Sequence, residues 1–198
     1  MLYRPEDVEV SGIFGGTFNP PHIGHLILAE EAIRKLNLKD IIFVPSGKPP
    51  HKSDGDTESE TRLRLVTLAT FSNDSFKVSD YEIKKEAVSY TIETLKYFSS
   101  KFKGNIVFLM GMDSLQDIKN WKNYEEILDA FMIAVFRRPG AKESEIQTEI
   151  KEKVTIIEAP EIPVSSSEIR RRIKSAEPFR YLVTEKVYSY IDSMDLYK

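Results

Sequence analysis

Six short apolar runs alternate with stretches of helical spacing along this chain, and that alternation limits the possible folds more than any other feature. Residues 8–14, 41–44, 76–83, 106–110, 131–136 and 154–157 read as strands. Residues 23–36, 57–71, 91–102, 123–128, 143–151, 167–175 and 183–193 read as helices. The order predicts an α/β fold, a Rossmann-like, doubly wound, mostly parallel sheet with helices on both faces. At 198 residues the chain is expected to be one domain, with the C-terminal helices of about residues 165–198 packed as part of it. In such sheets ligands gather where the carboxyl ends of strands meet the following loops.

Composition removes several function classes. With no cysteine, disulfides and thiolate ligands are excluded, which suits a reducing compartment. The opening MLYRPEDVEV lacks the basic and apolar regions of a secretory signal, and no run approaches the roughly 18 apolar residues of a membrane span. A soluble cytoplasmic chain is the expectation. Lys+Arg 28 against Asp+Glu 31 gives a formal charge of -3, which argues against a broad basic face for long nucleic acid. A small anion held by a local basic cluster remains open. There is no internal repeat, and residues 46–60, rich in proline, glycine and charge, read as a long mobile loop.

The first strand runs into GGTFNPPHIGH. Gly15 and Gly16 let backbone amides approach a ligand closely, and Pro20 and Pro21 stiffen the turn. A helix starting near residues 22–24 aims its first N–H groups and positive dipole end at the same spot, forming an anion site. His22 and His25, three apart on the first turn, can both face that anion, and Thr17 adds a hydroxyl. The plainer reading is a strand-to-helix turn whose histidines only cap and solvate it. Two histidines without a third ligand at suitable spacing make a poor zinc site.

Further along, VSSSEIRRRI places Ser165 and Glu168 as a capping box, with Arg170 to Arg172 on the first turns of the helix. This is either a second anion site or a capped surface helix with a solvated basic face. Lys48, His51 and Lys52 sit in a proline-stiffened loop that can close over phosphates or stay a solvated charged loop. All three histidines of the chain fall in two segments, His22 and His25 in the first motif and His51 in this loop, which favours one shared anion site. Gly111 follows a strand, and Asp113 can accept from a ribose hydroxyl or cap a helix. Trp121, the only tryptophan, is a core anchor or a stacking platform. Arg138 helps hold a nucleotide or forms a salt bridge.

GGTFNPPHIGH resembles the motif of the nucleotidyltransferase superfamily with HxGH, in the form found in bacterial nicotinate-nucleotide adenylyltransferases. The likeness continues in order through VPSGKPPHK, SYTIETL, GMDSLQDIKNW, FRRPG, VSSSEIRRRI and YLVTEKVYSYI, almost end to end. It implies transfer of the adenylyl group of ATP to nicotinate mononucleotide, giving deamido-NAD and pyrophosphate in NAD biosynthesis. Mg²⁺ would accompany ATP, held mainly by substrate phosphates, with no protein ligand named. By the same resemblance His22, His25, Thr17 and Arg170 are catalytic. ATP is met by Gly15, Gly16, Thr17, Phe18, His22, His25, Gly111, Asp113, Ser165, Ser166 and Arg170. The mononucleotide is met by Lys48, His51, Lys52, Tyr90, Thr91, Trp121 and Arg138, the indole stacking on the pyridine ring and backbone amides near Thr91 and Trp121 binding the carboxylate.

Two departures stand out. Ser167 replaces a common threonine, and Asn19 replaces the aspartate often found in GGTFDP; both Asn and Asp can close the turn, but a role that needs a carboxylate is lost. Rival readings are an enzyme preferring nicotinamide mononucleotide, a pantetheine-phosphate adenylyltransferase or cytidylyltransferase, a class I aminoacyl-tRNA synthetase fragment, and a non-enzymatic nucleotide sensor. The cytidylyltransferases and their pantetheine relative do not predict PPHK, SYT and the tryptophan together. A synthetase would need tRNA-binding mass and a KMSKS-like loop. Oligomeric state stays open.

Overall fold

The computed structural model describes residues 9–47, 57–85, 88–103, 105–137 and 146–198. Six strands form one sheet: β1 (Ser11–Gly16), β2 (Asp40–Pro45), β3 (Phe76–Val78), β4 (Ile106–Gly111), β5 (Met132–Arg137) and β6 (Thr155–Glu158). Their order is β3-β2-β1-β4-β5-β6 and every neighbouring pair is parallel. The order reverses between β1 and β4, so the crevice of this doubly wound sheet opens at the carboxyl ends of those two strands.

Why the strands read as continuous apolar runs follows from burial on both faces. Side chains alternate across a strand, and the core divides accordingly. Ile13, Ile42, Val44, Ile106, Phe108 and Met110 pack on one face beneath α3 (Thr91–Lys101), α4 (Met112–Gln116) and α5 (Tyr124–Ala130). Phe14, Ile41, Phe43, Val107 and Leu109 pack on the other, beneath α1 (Ile23–Leu36) and α2 (Ser59–Thr70). α1 meets this face through small residues, Ala29 and Ala32, which let it lie close to the sheet. It ends at Asn37 in the left-handed conformation, with Arg34 and Lys35 in the last turn where the dipole favours cations.

α2 also has an outer side. Leu65 and Ala69 form a third apolar cluster with Ile169 and Ile173 of α7 (Ser166–Lys174) and with Val187 and Ile191 of α8 (Glu185–Ser193). The C-terminal helices are thereby seated against α2 rather than against the sheet.

The strand expected over residues 76–83 stops at Val78. Beyond it the Ser79 hydroxyl accepts from the Tyr81 amide and the Lys84 amide donates to the Asp80 carbonyl, so the chain turns. Tyr81 then stacks on Tyr97 of α3 at 3.9 Å, and Ser79 and Asp80 are the turn signals that outweigh the apolar alternation. α4 and the 3-10 turn Ile118–Asn120 fall where no helix was expected, being too short to show a period. The sixth helix, α6 (Thr148–Lys151), covers only the end of the expected 143–151; residues 143–145 lie outside the described residues.

Ile13 is fully buried at the centre of the sheet, between β2 and β4. Ile13→Ala is expected to cost about 2–5 kcal/mol, the range for an aliphatic side chain truncated in a close-packed core. Urea denaturation of the variant beside the parent measures this.

Candidate active site at the carboxyl ends of β1 and β4

The NPPH turn joins β1 to α1, and the helix begins with His22 as N-cap in extended conformation (φ -141, ψ 169). His22 is buried, 6% exposed, and its ring stacks on that of His25 at 3.7 Å between centroids. The His22 amide donates to Nδ1 of His25 at 3.2 Å, which leaves the His25 proton on Nε2, a donor facing away from the backbone. Phe18 holds the other side of the His25 ring edge-on at 5.0 Å, and Phe14 lies at 6.1 Å. Two imidazoles are thus fixed over the first turn of a 14-residue helix, where N–H groups and dipole favour an anion.

Both glycines flanking this pair have steric reasons. A Cβ on Gly24 would lie 2.9 Å from Nδ1 of His22 and 3.0 Å from its Cε1, so a larger residue displaces the ring. A Cβ on Gly16 would meet the Phe18 ring at 3.0 Å, whereas Gly15 has only the Phe108 ring at 3.6 Å. Thr17 is exposed beside them, and Gly111, at the end of β4, has nothing within 4 Å of a built Cβ.

The serine-arginine segment comes to the same place. Ser165 caps α7, its hydroxyl accepting from the Glu168 amide at 3.2 Å. The Ser166 hydroxyl donates to the Pro20 carbonyl at 2.8 Å and Nη1 of Arg170 to the Asn19 carbonyl at 2.6 Å. Tyr197, in the C-terminal tail, donates to Oδ1 of Asn19 at 2.7 Å. The three consecutive arginines therefore separate by direction. Arg170 turns inward, while Arg171 grips Glu168 and Glu177 and Arg172 grips Glu168, as expected for surface residues. Hydrogen bonds from Arg171 and Arg172 pull the Glu168 carboxyl down to about 2, so this brace on α7 stays ionised at neutral pH.

Between α1 and the 160–165 segment that leads into α7 lies a cleft of about 270 Å³. His22 and, on α1, Gly24, His25 and Leu28 line it on one side and Pro160 to Ser165, Glu161 among them, on the other, with Arg137 also in the lining. A slot of mixed polarity, with apolar side chains along it and histidines and a helix start at one end, fits a flat heteroaromatic base joined to phosphates.

A second group assembles around the start of α3, for which Tyr90 is the N-cap and Thr91 the first helical residue. Lys122 lies 4.0 Å over the Tyr90 ring and 3.2 Å from Glu93, and Lys85 pairs with the same carboxylate. Next to Lys122, Trp121 is half-buried against Phe108 at 6.2 Å. Of the two readings of Trp121, the structure supplies an anchor on one side and leaves part of the indole accessible. Asp113 is exposed in the first turn of α4, for which Gly111 is the N-cap. Lys48, His51, Lys52 and Arg138 lie outside the described residues.

Sequence reasoning missed several groups here. Arg137 lines the cleft as the exposed last residue of β5, just past the buried run that ends at Phe136, and its place at a strand's carboxyl end was the available signal. The 160–164 wall, Leu28, and the anchoring hydroxyl of Tyr197 had none, because only the tertiary fold brings them to the turn.

A doubly wound parallel sheet with a glycine- and histidine-bearing turn and a cleft at its switch point has the architecture of a nucleotide-site α/β protein. The cytidylyltransferase-like family model matches residues 13–172. A probable nicotinate-nucleotide adenylyltransferase of Clostridium novyi is 42% identical over 96% of this chain and 100% of its own, and one of Clostridium acetobutylicum is 43% identical with the same coverage. A solved structure, Plasmodium falciparum nicotinic acid mononucleotide adenylyltransferase complexed with NaAD, has a similar fold, with TM-score 0.80 and 22% identity over 96% of this chain and 97% of that one. The chain belongs to the cytidylyltransferase-like family and, within it, to the nicotinate-nucleotide adenylyltransferases.

Gly24→Ala is expected to push the buried His22 ring out of its stack. Turnover should fall about 10- to 100-fold, as a misplacement near 1 Å does in a positioned site. Steady-state kinetics beside a melting curve separate this from unfolding.

Proposed function

We propose that this protein transfers the adenylyl group of ATP to the 5′-phosphate of nicotinate mononucleotide, releasing pyrophosphate and forming deamido-NAD. The observation that carries the reading is the convergence of His22, His25 and Ser165 on one cleft, with Ser166 and Arg170 against the turn beside it. Full-length relatives of the same name support the choice of acceptor. The site lies within one domain that includes α7 and α8.

The attacking group is a phosphate monoester with a second pKa of about 6, largely a dianion at neutral pH. A protein base is unnecessary. What the chain supplies is alignment of two anions and neutralisation of the charge that builds toward pyrophosphate. The Nε2–H of His25 and the His22 imidazole donate to the transferring phosphoryl group at the start of α1. Thr17 and the amides at Gly15 and Gly16 meet the neighbouring phosphates, and Arg170, with one N–H on Asn19, turns the rest of its fork to the departing pyrophosphate. Phe18 keeps the His25 ring in place, Ser165 and Ser166 border the triphosphate, and Gly111 and Asp113 meet the ribose. Tyr90, Thr91 and Trp121 receive the nicotinate ring and carboxylate, while Lys48, His51, Lys52 and Arg138 face the acceptor phosphate.

Mg²⁺ fits the chemistry as part of the nucleotide. The described residues contain no cluster of three acidic or histidine side chains that could hold a metal, and Glu161 is the single carboxylate among the described residues that line the cleft, so the ion would be held mainly by phosphate oxygens and water. It would add charge neutralisation on the triphosphate. Among the described residues no helix is long and apolar enough to cross a membrane.

Pyrophosphate release with ATP and Mg²⁺ tests the reading, using nicotinate mononucleotide, nicotinamide mononucleotide and phosphopantetheine as parallel acceptors. Release chiefly with the nicotinate compound is expected. Dominant release with another acceptor moves the specificity, and ATP binding without any release returns a sensor.

His22→Ala should lower turnover about 10²- to 10³-fold, the range for losing one donor to a developing oxyanion, with the acceptor KM within a few fold. Parental turnover would remove His22 from the chemistry. Trp121→Ala should instead raise the acceptor KM, since an aromatic stack contributes about 1–3 kcal/mol. An unchanged KM would remove the stacking role.

A further inference from the structure

Arg62 lies in the first turns of α2 and is 3% exposed, although Arg64, two residues on, faces solvent. Its guanidinium meets three separate segments. Nη1 donates to the Thr17 carbonyl at 2.8 Å and to the Ser46 hydroxyl at 3.4 Å. Nη2 donates to the carbonyls of Ser46 at 2.6 Å and Gly47 at 3.1 Å, and Nε to that of Thr57 at 3.2 Å. These described acceptors are backbone carbonyls and one hydroxyl, so backbone dipoles gathered from the turn after β1, the end of β2 and the approach to α2 help stabilise the buried charge.

The opposite polarity is supplied by Glu82, also buried, which accepts from the Thr94 hydroxyl at 2.6 Å and from the Gly47 amide. Burial pushes its carboxyl above the usual range. Gly47 fits against this residue only as glycine, because a Cβ there would lie 2.1 Å from the Glu82 carbonyl oxygen. The Ser46 amide closes the set by donating to the Gly16 carbonyl at 2.9 Å.

The geometry points to Arg62 as a positioning residue for the adenylyl transfer, holding the Thr17 carbonyl and the Ser46–Gly47 carbonyls in one fork so that the phosphate turn and the loop leaving β2 keep a fixed spacing. This rests on the active-site reading above. Arg62 reaches no substrate itself; its effect passes through Thr17, on the turn that runs on to His22, and through the base of the loop that goes on to Lys48, His51 and Lys52. Lysine cannot replace it, because an ammonium has three donors about one point where the guanidinium has five in a planar fork.

Arg62→Lys and Arg62→Ala test the assignment with two readouts. The first, hydrogen exchange of the folded proteins without substrate, should rise in residues 11–18 and 40–47 of Arg62→Lys and stay at the parental level in β4 and β5. The second is pyrophosphate release with whichever acceptor the parent uses best. Arg62→Lys should lose 10- to 100-fold in kcat with both KM values within threefold, and methylguanidinium, but not methylammonium, should restore Arg62→Ala at least tenfold. Parental exchange and kcat in Arg62→Lys would overturn the assignment, as would an activity loss that merely tracks the folded fraction. A parent inactive with every acceptor sinks the functional reading instead, and the exchange comparison then decides for or against the clamp.

Discussion

Hydrogen bonds from Ser166, Arg170 and Tyr197 fasten the Asn19–Pro20 turn to segments 146, 151 and 178 residues away in the chain. A neutral bond of this kind contributes about 1 kcal/mol net and one from a charged donor about 1.5–3 kcal/mol. Set against a domain stability of about 5–15 kcal/mol, that is a large share spent on one turn. The apolar cluster on α2 seats α7, and these bonds then tie its first turns to the turn leading into α1 so that the second wall of the cleft faces it. The anion site therefore belongs to neither end of the chain alone.

The sheet explains why the turn lies where it does. β1 is central, paired with β2 on one side and β4 on the other, and apolar on both faces. Such a strand presents polar chemistry at its ends rather than along its length, and the candidate residues Thr17, His22 and His25 follow its carboxyl end. α2 serves twice, covering the sheet with Val66 and seating α7 and α8 with Leu65 and Ala69. Arg62, on the same helix, reaches across to the turn, so one element sets both the second wall of the cleft and the spacing of the two loops.

The fold was legible because fully buried parallel strands leave continuous apolar runs, and all six were visible. The exceptions were local: β3 ends early because Ser79 and Asp80 turn the chain, and α4 is too short to display a period. Within the site, His22, His25, Ser165, Ser166 and Arg170 were legible because each sits in a compact motif whose capping chemistry is written in adjacent residues. Arg62 and Tyr197 were not. Arg62 gathers partners from 5 to 45 residues away and Tyr197 one 178 residues away, and a buried arginine in SETRLRL looks like its exposed neighbour until the helix is placed.

The most direct measurement is a crystal structure with a non-hydrolysable ATP analogue and nicotinate mononucleotide bound together. The α-phosphate should lie at the start of α1 within hydrogen-bond reach of His22 and His25, the adenine between α1 and the 160–165 wall, and the acceptor phosphate in line with the pyrophosphate leaving group. A triphosphate seated away from the NPPH turn, or an acceptor phosphate out of line with the α-phosphorus, would contradict the claim that this turn is where the two substrates are joined.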